Sequence, residues 1–291
     1  MDAPDRGSVR KIERILPSRE TIEGAGVHLR RAFGYYEVPL LDPFLLLDDF
    51  RSENPAEYVA GFPWHPHRGI ETVTYMLDGR VEHEDSIGNK GVVGPGDVQW
   101  MTSGSGIIHQ EMPKERDGLM GGFQLWVNLP ASNKMMDPRY QEVKGGQIPE
   151  VLAAKGVQVK VVAGEVNGVR GPVRDIIVEP EYLDVTVAPH TDFEHGVPRG
   201  HRAFAYVLQG KGSFDDESGE VIDSEHIVLF KDGDRVRIAA RDQPLRFLLI
   251  SGKPIRQPVA WWGPIVMNTR KELEVAIEEY QDGTFIKHQR R

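Results

Sequence analysis

The chain has 291 residues, 40% hydrophobic and 27% charged, with a formal net charge of −9. That is room for one large or two medium domains with real cores, and the negative field disfavours nucleic acid as a partner. There is no cysteine, which excludes disulfides and thiolate chemistry.

The N-terminus, MDAPDRGSVRKIERILPSRE, has no apolar run of the kind a secretory signal needs. No later window approaches ~18 consecutive apolar residues, so no membrane contact is expected and the expected setting is cytoplasmic. The first distinctive stretch is GFPWHPHRGIETVTYMLDG, residues 61–79. Residues two apart on a strand share a face, so His65 and His67 offer two imidazoles in one direction. TVTYML (72–77) then alternates as a strand, and His83 in VEHEDS reads as an ordinary strand residue. In VVGPGDVQWMTSGSGIIHQEMP (92–113), Pro95-Gly96 and Gly104/Gly106 mark turns around a VQWM strand. His109 and Glu111 follow, again two apart.

QEVKGGQIPEVLAAKG (141–156) reads as a join. VQVKVV (157–162), LDVTV (183–187), FAYVL (204–208), HIVLF (226–230) and LRFLLI (245–250) are further short strands. Near the end, Thr269 opens TRKE, a capping-box pattern. Leu273, Ala276, Ile277 and Tyr280 follow at helical spacing, and Gly283 is a stop signal. Trp261 and Trp262 are expected to anchor this helix. The basic tail Lys287–Arg291 reads as a solvated terminus. Many short strands with frequent turns indicate a sandwich or barrel.

A weak internal repeat lies beneath this. TYMLDG (74–79) resembles AYVLQG (205–210) at an offset of 131, and PGD (95–97) resembles DGD (232–234) at an offset of 137. The expectation is two β-domains in tandem: 1–140, a linker at 141–155, and 156–291 carrying the terminal helix. At these offsets His65 and His67 fall on Gly196 and Pro198, and His109 and Glu111 on Arg246 and Leu248. The second domain is therefore expected to hold no metal.

Three imidazoles and a carboxylate from two short strands suit a divalent transition ion with open positions, where substrate and dioxygen could bind. Glu71, four residues after His67 and of the same parity, competes with Glu111 for the carboxylate role. Spacing alone leaves that open. No nucleophile elbow or phosphate loop surrounds Ser103 and Ser105, so hydrolase and nucleotide-binding readings fall away.

The two histidine motifs resemble the ligand motifs of cupins. Together with FQLWVNLP, LLDPFLLLDDF (40–50) and GPIVMNTRKELEVAIEEYQDGTF (263–285), they resemble the pirin family, which includes quercetin 2,3-dioxygenases. The resemblance implies an all-β fold of two tandem cupin (jelly-roll-like) barrels with a short C-terminal helix. It implies a metal held by His65, His67, His109 and Glu111, with Glu71 outside the ligand set. It implies Fe(II) first, with Cu, Ni, Mn, Co or Zn as alternatives. The implied activity is dioxygenation of a flavonol such as quercetin with release of carbon monoxide, with Glu111 alternating between ligand and base. The expected partners are the aromatic substrate and dioxygen, on a monomer. The rival class is a non-enzymatic, redox-responsive regulatory protein acting through protein contacts.

Overall fold

The computed structural model describes residues 7–114 and 118–288. Of the basic tail, residues 289–291 lie outside this range. The chain divides into two compact units, each built from non-contiguous segments. The first comprises Arg19–Gln147 with Ile255–Arg291, and the second Met1–Ser18 with Ile148–Pro254. The expected division into consecutive domains differs from this at both ends. The C-terminal helix groups with the N-terminal motifs, and the N-terminal strand groups with the C-terminal half.

Each unit contains a seven-stranded and a four-stranded antiparallel sheet. In the first unit the large sheet runs, in spatial order, 139–143, 98–102, 70–78, 121–128, 44–49, 27–33, 19–23, and the small one 62–67, 107–113, 81–85, 90–93. In the second the orders are 12–17, 226–230, 202–209, 245–252, 181–187, 157–163, 150–154, and 192–196, 235–240, 211–213, 222–223. The two lists match strand for strand, which confirms the all-β jelly-roll pair.

The match also corrects the repeat register. PGD precedes the strand Val98–Thr102, whereas DGD follows its counterpart His226–Phe230, so the two turns are not equivalent. His65 faces His109 across neighbouring strands, and the corresponding facing pair in the second unit is His195 and the fully buried Val236. The proposed linker is also mostly strand. Arg139–Val143 closes the edge of the first unit's large sheet and Glu150–Ala154 that of the second's.

The second unit is filled by a continuous cluster of buried aliphatic and aromatic side chains, among them Val159, Val185, Phe214 and Phe247. In the first unit the C-terminal helix Arg270–Gln281 begins at Thr269, whose side chain accepts from the Glu272 amide while Glu272 reaches back, as the capping box predicts. Leu273, Ala276 and Phe285 are buried against Ile265 and Met267. Among the described residues no helix is long and apolar enough to cross a membrane.

Candidate metal centre

The strand Phe62–His67 ends at a tight corner before the strand Ile70–Asp78. Gly69 turns it with φ +80°, and a Cβ there would run into the Val266 carbonyl oxygen. The corner is braced by charge buried inside the first unit. The Arg68 guanidinium is 1% exposed. It donates to the Ser105 and Phe285 carbonyls at 2.7 and 2.9 Å, and pairs with Glu279 of the helix at 2.8 Å. Lys134 Nζ donates to the carbonyls of Gly69 and Val266 and to Asn128 Oδ1 at 2.7–2.9 Å. Each of the three Arg68 guanidinium nitrogens and the Lys134 ammonium thereby has a partner away from water. The helix is a brace for the histidine strand, which is why it groups with that unit.

Across the small sheet, His109 lies opposite His65 on one side and Asp85 on the other, and Glu111 lies opposite His83. His65, His67 and His109 each bring a ring nitrogen within 4.8 Å of the others, and ring nitrogens of His83 and His109 and a carboxylate oxygen of Glu111 come equally close. His65 Nε2 and His67 Nε2 are 3.1 Å apart. Their Nδ1 atoms sit 2.8 and 3.2 Å from the Pro63 and Pro264 carbonyls. A carbonyl only accepts, so both Nδ1 atoms carry the proton and both Nε2 atoms face one another as bare lone pairs. Two lone pairs facing one another in this way suit a shared cation. His109 Nε2 is buried with no hydrogen-bond partner. Burial, reinforced by the neighbouring rings, holds His67 and His109 well below the usual imidazole range, so both are neutral and able to ligate. The residues fit a divalent transition ion.

The two candidate carboxylates face different ways. Strand parity is lost at the Gly69 corner, so Glu71 does not share the face of His67. It points to the sheet face opposite Thr74, fully buried, where its Oε1 accepts from Thr102 at 2.7 Å. Burial pushes its carboxyl up. Glu111 faces inward instead, accepting from Thr74 Oγ1 at 3.0 Å and Gln124 Nε2 at 2.9 Å.

His65, His67 and Glu111 open onto a cavity of about 830 Å³ lined by residues of the first unit alone. A polar row crosses its floor, since Thr74, Gln124, Asp48 and Arg31 are successive cross-strand neighbours. Arg31 clasps Asp48 with two hydrogen bonds of 2.8 Å and also pairs with Glu23. Aromatic rings form the wall. Trp126 meets His67 edge-on at 5.1 Å and Trp261 at 5.8 Å, and Tyr35 follows at 5.6 Å. The tryptophans expected to anchor the helix are thus cavity wall, with Trp64 beside them. Trp100 is core, 1% exposed. His83, read from sequence as an ordinary strand residue, is buried beside His109 together with Asp85. Their own spacing of two, on a strand between turns, was the available signal.

The chain matches the pirin family over residues 26–127 and the pirin C-terminal cupin domain over residues 182–286. A pirin-like protein of Caulobacter vibrioides is 44% identical over 95% of this chain and 99% of its own length. The chain belongs to the pirin family. Pirin-like protein 2 of Arabidopsis thaliana is 45% identical over 90% of this chain and 81% of its own. The crystal structure of a quercetin 2,3-dioxygenase from Acinetobacter baumannii superposes with a TM-score of 0.89 at 31% identity, covering 96% of this chain and 99% of that one. As a pirin, the chain carries the family's two cupin domains, and the histidine cluster lies in the first.

Proposed function

We propose that this pirin is a metal-dependent dioxygenase acting on a flavonol-like aromatic, with His65, His67, His109 and Glu111 as the metal ligands. The observation that carries the reading is the convergence of three lone-pair-bearing histidines and an oriented carboxylate on a cavity walled by tryptophan. The similarity to a quercetin 2,3-dioxygenase supports it. A divalent transition ion, Fe(II) first among the candidates, would supply Lewis acidity that favours the enolate form of a bound enol. The protein supplies the rest. Trp126 and Trp261 offer flat faces that orient a planar ring system. Glu111, held by Thr74 and Gln124, would take the enol proton. The enclosing apolar wall, including Leu46, Phe50 and Met120, keeps water from competing.

The test uses purified protein loaded with Fe(II), assayed for metal content by mass spectrometry and for oxygen uptake with quercetin. Glu111→Gln keeps an oxygen donor but removes the charge. It should retain part of the metal while turnover per bound metal falls by about 10²–10⁴-fold, the loss typical of a general base. His109→Ala should lower occupancy and activity together. Full activity per metal in Glu111→Gln places the base elsewhere. Absence of oxygen uptake by the loaded wild type would leave the non-enzymatic, regulatory role as the better reading.

A further inference from the structure

We propose that Asp85 and His83 form a positioning relay that fixes the tautomer of His109 and aims its Nε2 lone pair at the space between His65 and His67. The inference rests on the reading of His109 as a metal ligand and adds two residues with a defined task.

With one proton on each ring, the chain of hydrogen bonds has one self-consistent polarity. Asp85 is a fixed acceptor. Its Oδ1 accepts from the amides of Ile87 and Asn89 at 3.0 and 2.9 Å, and its Oδ2 accepts from Asn89 Nδ2 at 2.8 Å. His83 Nε2 lies 3.1 Å from Asp85 Oδ2. A carboxylate cannot donate, so His83 donates through Nε2, and the relay has it present a bare Nδ1. The group facing that lone pair is His109 Nδ1 at 3.4 Å, a long hydrogen bond between rings 5.2 Å apart. His109 must then carry its proton on Nδ1. Its Nε2, the buried atom with no partner in the protein, is left as the lone pair. A free neutral imidazole favours the opposite tautomer, with hydrogen on Nε2, which cannot ligate there.

The relay is rigid. His83 is fully buried, His109 is 1% exposed and Asp85 5%. Tyr140 stacks on the His83 ring at 5.0 Å, and its hydroxyl is fixed by Glu142 and Gln99. Such outer partners of a ligating histidine set both tautomer and ring orientation. His83 is also close enough to His109 and Glu111 to form a ligand group of its own. The relay assigns it the outer role, because its Nε2 is engaged by Asp85 and its Nδ1 by His109.

The test reads tautomers directly. Protein labelled with nitrogen-15 at histidine and stripped of metal is examined by two-bond proton–nitrogen correlation near neutral pH. The relay requires hydrogen on Nδ1 of His109 and on Nε2 of His83. Hydrogen on Nε2 of His109 overturns it. On adding zinc, the metal-induced shift should appear at His109 Nε2 and not at His83; a shifted His83 nitrogen would make it a ligand and sink the proposal.

Two variants then separate polarity from packing. Asp85→Asn keeps its shape, and its oxygen must stay toward the Ile87 and Asn89 amides, so its amide NH₂ faces His83. Both tautomers should reverse, with zinc affinity falling by about 10–100-fold, the range for such partners. His83→Phe keeps the ring against Tyr140 and removes the bias without reversing it, so its loss should be smaller. A packing role alone predicts the opposite order. The tautomers decide the relay even if the wild type takes up no metal, an outcome that would overturn only the metal reading.

Discussion

Thr74 shows how closely one side chain determines the site. Its hydroxyl donates to Glu111 Oε1 at 3.0 Å, and Gln124 donates to the other oxygen. Both Thr74 and Glu111 are buried, at 2% and 5% exposure. Thr74→Val preserves shape and β-branching but strips one donor from a buried carboxylate. A hydrogen bond to a charged group contributes about 1.5–3 kcal/mol, so the metal-free variant should lose that much stability in denaturant unfolding. A change below about 0.5 kcal/mol would mean that another donor already serves that oxygen. At this scale the sequence was informative wherever two residues shared one uninterrupted strand, as His65 with His67 and His109 with Glu111 do. It was silent where parity had to be carried across a corner, which is why Glu71 and Glu111 could not be told apart by spacing. It was equally silent on which strand would lie against His109, so the His83–Asp85 pair went unseen.

Among the elements, the corner and the helix behind it fail in different ways. Gly69 has φ +80°, and a side chain there meets the Val266 backbone. Gly69→Ala therefore combines backbone strain with a steric clash and should cost about 3 kcal/mol or more. It should also displace His67, whose Nδ1 bonds the adjacent Pro264 carbonyl. Thr269→Ala removes only the helix cap and should cost about 1 kcal/mol, with the histidine cluster intact. Thermal unfolding and zinc titration of the two variants check the contrast; equal effects on metal binding would mean that the helix cap, too, positions His67. The helix itself was legible because its cap, period and stop are local signals. Edge strands were not. That Ile12–Pro17 pairs with His226–Phe230, and Arg139–Val143 with Val98–Thr102, depends on contacts between residues far apart in the chain. Those same pairings exposed the turn match at residues 95–97 and 232–234 as a coincidence of composition.

For the molecule as a whole, the two units differ in what their equivalent positions can do. The buried, inward-facing positions that His109 and Glu111 take on Ile107–Pro113 are held on Arg235–Ala240 by Val236 and Ile238, which offer no ligand atom. Nearby His195 bonds Glu181 at 2.9 Å and stacks on Phe193. His195→Ala should therefore leave metal content near one ion per chain; a halved content would reveal a second site. The buried histidines also set how the metal-free protein responds to acid. Burial holds His67 and His109 well below the ordinary imidazole range, so the folded state stays neutral there as pH falls. The unfolded chain takes up protons at these residues near pH 6.5. Below that value it binds more protons than the native state, so stability falls as the solution is acidified. Two such groups amount to about 3 kcal/mol lost between pH 8 and pH 5.5. The measurement is denaturant unfolding of metal-free protein at both pH values, beside the double variant His67→Asn, His109→Asn, which has no imidazole to titrate at these positions. The wild type should lose about 3 kcal/mol more than the variant over that interval. Parallel losses would show that the two rings already exchange protons with solvent in the folded state, and that the cavity is wetter than its walls imply.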